Sequence, residues 1–207
     1  LACYSEDVVR GQSEEMGLLP HCHFDWDGYK AAAEGKTAAL FSLPVYGGAR
    51  IAGWTEEKAV ALADEMRPIG LLFQIADDVL DLYGDKGREA PGADLREGKV
   101  SALVSEHLRL HPRDGDWLIP LLECPREDTP DRLVTHAIQR FRHGGALEAV
   151  WERMGAIEAR VHDSPLLASV PKLHAAAFDL VTRALRPILH TDTYASTSSG
   201  LERQVTQ

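Results

Sequence analysis

The sequence predicts an all-α protein, and three observations lead to that prediction. Apolar residues recur at intervals of three and four, as at Ala59, Leu62, Ala63 and Met66, which is the spacing of a helix that buries one face. No stretch shows the alternation of apolar and polar residues that is typical of a half-buried strand. Capping residues, prolines and glycines divide the periodic runs into separate helices. We therefore expect a single helical domain over residues 1–190.

The first part of the chain contains two predicted helices. Residues 1–19 have helical spacing but no capping residue ahead of them, so the run begins inside a helix. Asp25 or Asp27 can cap the next helix, which extends through 29–41. Pro44 is expected to interrupt or kink that helix.

The remaining helices have clear start signals. Thr55 is a suitable N-cap for a central helix, which Pro68 is expected to kink before it reaches Gly84. Thr129-Pro130 indicates another start, with Thr as the cap and Pro at the first helical position. Further helical runs are predicted at 100–110, at 118–122, from 146 to about 167 and from 171 to about 188. The polar segment 191–207 is expected to be a mobile tail.

Four polar residues share one face of the central helix, within the stretch FQIADDVLD at 73–81. Gln74, Asp77, Asp78 and Asp81 lie at spacings that place them on one stripe. Three carboxylates so close repel one another unless a hard divalent cation lies between them, and Mg²⁺ usually takes one or two carboxylates plus substrate phosphates. A solvated acidic cluster at a helix end is the alternative. The apolar neighbours of the stripe favour the metal interpretation, and with it a phosphate ligand.

Basic residues lie where such a ligand would need them. Lys36 follows a run of alanines on a helix suited to burial, so its charge needs an anionic partner, although a lysine that reaches the surface is the simpler alternative. Lys86, Arg88, Arg96 and Lys99 follow the carboxylates closely, as expected where a metal-bound diphosphate meets direct cationic contacts.

These motifs carry a resemblance to a known family. FQIADDVLDLYGD followed by GADLREGK resembles the second aspartate-rich motif of the trans-isoprenyl diphosphate synthases, also called the polyprenyl synthetase family. EGKTAALF at 34–41 resembles the family's lysine-threonine motif, and Gly11-Gln12 resembles a further element, with Glu15 where an Asp is usual. The resemblance implies a helical bundle around a central apolar cavity. It also implies a prenyltransferase that joins an allylic diphosphate to isopentenyl diphosphate with the help of Mg²⁺, three ions when substrate is bound.

The resemblance also assigns roles to residues. The metal ligands would be Asp77, Asp78 and Asp81; the catalytic residues would be Lys36, Thr37, Asp77 and Asp78; and the diphosphate would be bound by Lys36, Gln74, Lys86, Arg88 and Lys99. One position departs from the family, which commonly has Gly-Lys where this chain has Glu89-Ala90, and Lys86 or Arg88 is assigned in its place. Leu40, Phe41, Leu72 and Phe73 are expected to be either core or cavity wall.

The family's first aspartate-rich motif has no counterpart in this sequence. We expect the chain to be the C-terminal part of a longer enzyme, inactive in condensation by itself, or else to be completed by another polypeptide. A class I terpene cyclase is one alternative, although the second metal motif expected of a cyclase is absent after Asp81. Release of a hydrocarbon product would favour the cyclase. A non-catalytic partner subunit of a prenyl synthase is the other, and co-purification with a complete homologue would favour that.

Composition restricts the other classes of function. The 207 residues include 22 basic and 32 acidic ones, a net charge of −10 with no basic stripe, which argues against nucleic acid as a partner. Three scattered cysteines suit a reducing compartment, and no apolar stretch is long enough to cross a membrane. We therefore expect a cytoplasmic protein, and the family resemblance implies a homodimer.

Overall fold

The computed structural model describes residues 2–84 and 91–189, and within these ranges it contains helices and no strands. The prediction of an all-α fold is therefore confirmed. The helices are α1 Ala2–Leu18, α2 Trp26–Ala33, α3 Ala39–Ile51, α4 Glu56–Asp64, α5 Arg67–Tyr83, α6 Ala93–Arg96, α7 Ala102–Leu110, α8 Gly115–Leu122, α9 Asp131–His143, α10 Ala146–His162, α11 Pro165–Ala168 and α12 Pro171–Leu189. A π-helical turn, Glu34–Ala38, joins α2 to α3. Lys86, Arg88 and the predicted tail at 191–207 lie outside the described residues.

Helix α5 lies at the centre of the bundle. It packs against α3 and the π-helical turn on one side and against α7, α10 and α12 on the others. Ile69, Leu72, Ile75 and Val79 are fully buried along it, at intervals that match the helical period. Because α5 is enclosed on several faces, a polar side chain on those faces is held inside the protein.

Close backbone contacts fix the π-helical turn between α1 and α5. A Cβ atom at Gly11 of α1 would come 2.1 Å from the backbone nitrogen of Lys36, and one at Gly70 of α5 would come 2.3 Å from Cα of Ala38. Side chains at these two positions would therefore force the helices apart. The two glycines set the depth at which the turn, with Lys36 and Thr37, sits in the bundle.

Several start signals act as predicted. The Asp25 side chain caps α2 by accepting a hydrogen bond from the backbone of Gly28, and Thr55 caps α4 by accepting one from Lys58. Ser101, which is not among the predicted caps, caps α7 through the backbone of Val104.

Four details differ from the predictions. Pro68 does not kink a continuous helix, because α4 ends at Asp64 and Pro68 lies in the first turn of α5, where its missing N–H costs nothing. Helix α3 continues through Pro44 without the expected interruption. The run predicted over 146–167 ends at His162, after which Ser164 caps the short α11. Helix α9 begins at Asp131, and the hydroxyl of Thr129 donates to the carbonyl of Pro125 instead of capping that helix.

Among the described helices, none has the length and apolar character needed to span a membrane.

Candidate active site

Asp78 is the most deeply buried member of the acidic stripe. Its side chain is 0% exposed. Oδ1 accepts hydrogen bonds from Nε2 of Gln74 and from Nζ of Lys99, both at 3.1 Å, and Oδ2 accepts one from the backbone N–H of Ala102 at 2.9 Å. These donors come from α5, from the segment before α7 and from the first residue of α7. Asp78 therefore joins α5 to the following part of the chain.

Two backbone N–H groups from residues that follow α5 in the chain bind Asp81. The Asp81 carbonyl accepts a hydrogen bond from the backbone of Gly92 at 3.0 Å, and its Oδ2 accepts one from the backbone of Asp94 at 3.1 Å. Gly92 has a φ of 87°, and a side chain there would also collide with Val134, so this position requires glycine.

Lys99 lies between two carboxylates. Its Nζ donates to Oδ2 of Asp94 at 2.9 Å as well as to Asp78. Burial disfavours the lysine charge, but Asp78 and Asp94 outweigh that effect and raise the pKa of Lys99 above its usual value. Burial also raises the pKa of Asp94 to about 6, against the opposing effect of Lys99. Lys99 is therefore a charged ammonium group at neutral pH.

Lys36 and Thr37 lie on the π-helical turn, which packs against α5. The Lys36 ammonium lies 2.6 Å from Oε2 of Glu15 on α1, and Gln12 donates to the same oxygen at 3.1 Å. The Thr37 hydroxyl donates to Oε1 of Gln74 at 3.1 Å, while Nε2 of Gln74 donates to Asp78. The amide of Gln74 thus connects Thr37 to Asp78.

Asp77 faces a different direction from its neighbours in the stripe. Asp77 is exposed, whereas Gln74, Asp78 and Asp81 are buried. Phe73, one turn earlier on the same face, is 45% exposed, and its ring lies 5.7 Å from that of Phe41. The outer face of α5 therefore combines a carboxylate with an apolar surface.

The four residues expected to be core or cavity wall differ in burial. Leu72 is fully buried in the core, whereas Leu40 and Phe73 are exposed at 58% and 45% and Phe41 is half-buried. The exposed members can therefore contact a ligand or a further polypeptide, and Leu72 cannot.

The structure brings most, but not all, of the predicted residues of the described ranges together, since Asp77 is exposed and Asp81 binds the backbone of Asp94. Thr37, Gln74, Asp78 and Lys99 form a continuous series of hydrogen bonds, which Asp94 extends, and Lys36 with Glu15 flanks it. Both lysines are paired with carboxylates that a stronger anion could replace. This arrangement suits a ligand with several negative oxygens.

The residues are better suited to binding Mg²⁺ together with phosphate oxygens than to coordinating the ion with protein side chains alone. Within the described ranges, no group of three or more His, Cys, Asp or Glu side chains converges on a metal position. Mg²⁺ seldom uses a cage made only of protein side chains, because it usually takes one or two carboxylates together with substrate phosphates and water. The exposed carboxylate of Asp77 suits that mode of binding, and Asp81 is a second oxygen donor on the same helix.

Sequence reasoning missed three contributors to this network. Glu15 was noted only as a departure from the family pattern, yet it is the ionic partner of Lys36. Asp94 lies in the GADLREGK motif and shares Lys99 with Asp78. Tyr29 is buried, and its burial and then the negative charge of Asp78 raise the pKa of its hydroxyl well above the usual value. Asp94 and Lys99 lie five positions apart in one motif, which was an available signal, but nothing in the sequence indicated Tyr29.

Comparison with known proteins identifies the family. The polyprenyl synthetase family model matches residues 1–140, and the chain therefore belongs to that family. It is 34% identical to the short chain isoprenyl diphosphate synthase of Methanothermobacter thermautotrophicus, over 68% of this chain and 43% of that one. It is 35% identical to the (2E,6E)-farnesyl diphosphate synthase of Mycobacterium bovis, over 76% and 44%. The chain thus spans less than half the length of these two relatives.

Solved structures support the fold. A decaprenyl diphosphate synthase from Rhodobacter capsulatus matches 88% of this chain and 58% of its own, at 29% identity and a TM-score of 0.68. A geranylgeranyl pyrophosphate synthase from Corynebacterium glutamicum, solved with isoprenyl diphosphate and magnesium, matches 86% and 51% at 23% identity and a TM-score of 0.70.

Proposed function

We propose that the protein to which this chain belongs is a prenyltransferase, which joins an allylic diphosphate to isopentenyl diphosphate and forms a longer polyprenyl diphosphate. Membership of the polyprenyl synthetase family supports the class of reaction. The observation that carries the proposal for this chain is the series of hydrogen bonds through Thr37, Gln74, Asp78 and Lys99, with Lys36 next to Thr37, because it gathers cationic and acidic groups from separate parts of the chain.

In this proposal the two lysines bind the diphosphate of the allylic substrate. Lys36 leaves Glu15, and Lys99 leaves Asp78 and Asp94, when phosphate oxygens offer a stronger negative charge. Thr37 is oriented by Gln74, so its position next to Lys36 is set before substrate arrives. Preorganised cations of this kind stabilise the negative charge that develops on a leaving diphosphate.

Mg²⁺ would be held by the carboxylates of Asp77 and Asp81 together with phosphate oxygens, and Asp78 would orient the helix end behind them. The chemistry that the ion supplies when bound is to neutralise charge on the leaving diphosphate. Asp78 is predicted to be a metal ligand as well, and its present hydrogen bonds would have to open for that role.

The apolar surface next to Asp77 protects the reaction from water. When the C–O bond of the allylic diphosphate breaks, the diphosphate keeps the electron pair, and the double bond of isopentenyl diphosphate attacks the allylic cation. A proton is then lost to the departing diphosphate, and a product five carbons longer remains. Phe41 and Phe73 are suited to line the space for the carbon chain.

Further parts of the proposal rest on the family resemblance. Lys86 and Arg88 are proposed to contact the diphosphate, although they lie outside the described residues. The protein is proposed to act as a homodimer in the cytoplasm and to bind three Mg²⁺ ions with its substrate.

Calorimetric titration of the chain with inorganic pyrophosphate in the presence of Mg²⁺ tests the site. We expect Lys36→Met to weaken binding by about tenfold or more, because it removes a charge-assisted contact. Lys30→Met is the matched control, since Lys30 lies on α2 and pairs only with Glu34 among the described acidic groups. Equal affinities of the parent chain and Lys36→Met would contradict the proposal.

A further inference from the structure

Glu106 is a second fully buried carboxylate, in addition to Asp78. It lies on α7, and its side chain is 0% exposed. Both Nε and Nη2 of Arg153, on α10, lie 2.6 Å from its Oε1, and Nε of Arg109 donates to its Oε2 at 2.7 Å. A carboxylate buried to this extent is tolerated only when charged partners compensate for the loss of water. The two arginines provide that compensation, one on each oxygen.

Arg153 also contacts a second helix. Its guanidinium carbon lies 3.9 Å from the centre of the Trp26 ring, and Trp26 is the first residue of α2. A planar guanidinium can stack on an aromatic ring while its N–H groups bind a carboxylate, which the ammonium group of a lysine cannot reproduce. Arg153 therefore joins α10 to α7 through Glu106 and to α2 through Trp26.

The two helices that Arg153 contacts lead to the two lysines of the candidate active site. Helix α2 continues without a break into the π-helical turn that carries Lys36. Helix α7 begins at Ala102, whose backbone N–H binds Asp78, and Lys99 lies three residues before it. Helices α2 and α7 also pack against each other. The distance between the two lysines therefore depends on how α2 is held against α7.

That distance matters for an anion that binds both lysines. In the proposed function, Lys36 and Lys99 hold one diphosphate, whose two phosphate groups have a fixed separation. A misplacement of about 1 Å in a preorganised site can cost about 100-fold in rate. A single phosphate group, in contrast, can bind one lysine wherever the other lies.

We propose that Arg153 is a positioning residue for the diphosphate site, because it holds α2 against α7 and thereby sets the spacing of Lys36 and Lys99. The inference rests on the proposed function, since it requires both lysines to bind the same diphosphate. Arg153 itself does not touch the substrate. Its effect on the substrate passes through Trp26 on α2 and Glu106 on α7.

A comparison of two anions, inorganic pyrophosphate and orthophosphate, tests the spacing in the presence of Mg²⁺. Phosphorus NMR titration measures the affinity of each anion for the same protein. We expect Arg153→Met to weaken pyrophosphate binding by about tenfold and to change orthophosphate binding by less than about twofold. A general loss of structure would weaken both anions alike, so equal weakening of the two would overturn the inference.

Arg109→Met is the matched control. Arg109 binds the other oxygen of Glu106 from three residues further along the same helix. Its replacement removes one partner of the buried carboxylate but leaves the contact between Arg153 and Trp26 in place. We expect the affinities for both anions to be unchanged. A loss of pyrophosphate affinity as large as that of Arg153→Met would assign the effect to the charge of Glu106, against a role in spacing.

Trp26→Leu tests the other half of the contact. It keeps the ion pairs of Glu106 and removes the ring on which Arg153 stacks. We expect it to weaken pyrophosphate binding by about threefold to fivefold in the parent chain, and by much less in the Arg153→Met background, because both variants break the same contact. If Arg153→Met does not fold, Trp26→Leu alone is compared on the two anions, and equal weakening of both, or of neither, refutes the role of Arg153.

The parent chain separates this inference from the proposed function. If it binds pyrophosphate and Arg153→Met binds that anion equally well, the role of Arg153 is refuted while the proposed function stands. If the parent chain binds no pyrophosphate, the proposed function fails, and the role of Arg153 fails with it.

Discussion

Replacing Asp78 with alanine should destabilise the chain far more than the same change at the adjacent Asp77. Asp78 is buried and accepts hydrogen bonds from the buried Gln74 side chain, from the buried backbone N–H of Ala102 and from the partly buried Lys99. Its loss leaves a buried N–H unpaired, which costs about 1–3 kcal/mol, and breaks a buried ion pair, for which losses of about 3–5 kcal/mol are typical.

Lys99 moderates that loss, because it keeps its second carboxylate, Asp94, at 2.9 Å. We therefore expect Asp78→Ala to lower the free energy of unfolding by about 3–5 kcal/mol in total, a large part of the roughly 5–15 kcal/mol available to a domain. Equilibrium unfolding in urea measures the difference, and we expect the m-value, the slope of the free energy of unfolding against urea concentration, to be unchanged.

Asp77→Ala is the control on the same helix. Asp77 is exposed, so we expect its replacement to change the free energy of unfolding by less than about 1 kcal/mol. If Asp78→Ala costs no more than Asp77→Ala, the interpretation of Asp78 as the residue that joins α5 to α7 is wrong.

Two further predictions concern the packing of α1 and the acid stability of the chain. Gly11→Ala should unfold or strongly destabilise the protein, because its Cβ would lie 2.1 Å from the backbone nitrogen of Lys36. Gly47→Ala is the control, and it should be neutral or slightly stabilising, because no atom lies within 4 Å of the added Cβ. Thermal melting of the two variants compares their stability. Burial acts to raise the pKa of Asp114, but hydrogen bonds from Arg140 and His107 outweigh it and lower the pKa to about 2. The stabilisation from Asp114 is therefore complete above its unfolded pKa of 3.8 and is lost as the pH falls towards 2. Asp114→Asn should destabilise the chain at neutral pH and much less at pH 2. Urea unfolding at several pH values measures this difference.

Local signals predicted the helices more successfully than their exact ends. The caps Asp25 and Thr55 were identified because a cap depends only on the following turn. The break after His162 was missed, although Ser164 before Pro165 is itself a start signal, because apolar spacing continues across it. The outcome at Pro68 depended on packing, since a proline can begin a helix as well as kink one.

The sequence singled out most members of the hydrogen-bond network around Asp78, but not their pairings. Lys36 pairs with Glu15 and Lys99 with Asp78, each across 21 positions of the chain, so the partners depend on how separate helices pack. No pattern along the sequence specifies such a pairing. The close contact at Gly11 that sets the depth of Lys36 is equally a property of the folded chain.

The polar stripe on α5 shows where helical spacing reaches its limit. Adjacent residues on a helix differ in direction by about 100°. The spacing rule groups Asp77 and Asp78 in one stripe, although their side chains differ in direction by this angle. The edge of the buried surface passes between them, so Asp77 is exposed and Asp78 is buried. The position of that edge depends on the neighbouring helices, which the spacing of α5 does not reveal.

In the proposed function, Asp77, Lys36 and Lys99 bind a metal and a diphosphate together. Mn²⁺ offers a direct test of this, because it accepts the same oxygen ligands as Mg²⁺. Electron–nuclear double resonance can measure the coupling between bound Mn²⁺ and the phosphorus of inorganic pyrophosphate. We predict a coupled complex in the parent chain whose affinity falls by about tenfold or more in Asp77→Asn. A complex of equal affinity in Asp77→Asn, or Mn²⁺ and pyrophosphate bound without phosphorus coupling, would contradict the proposed function.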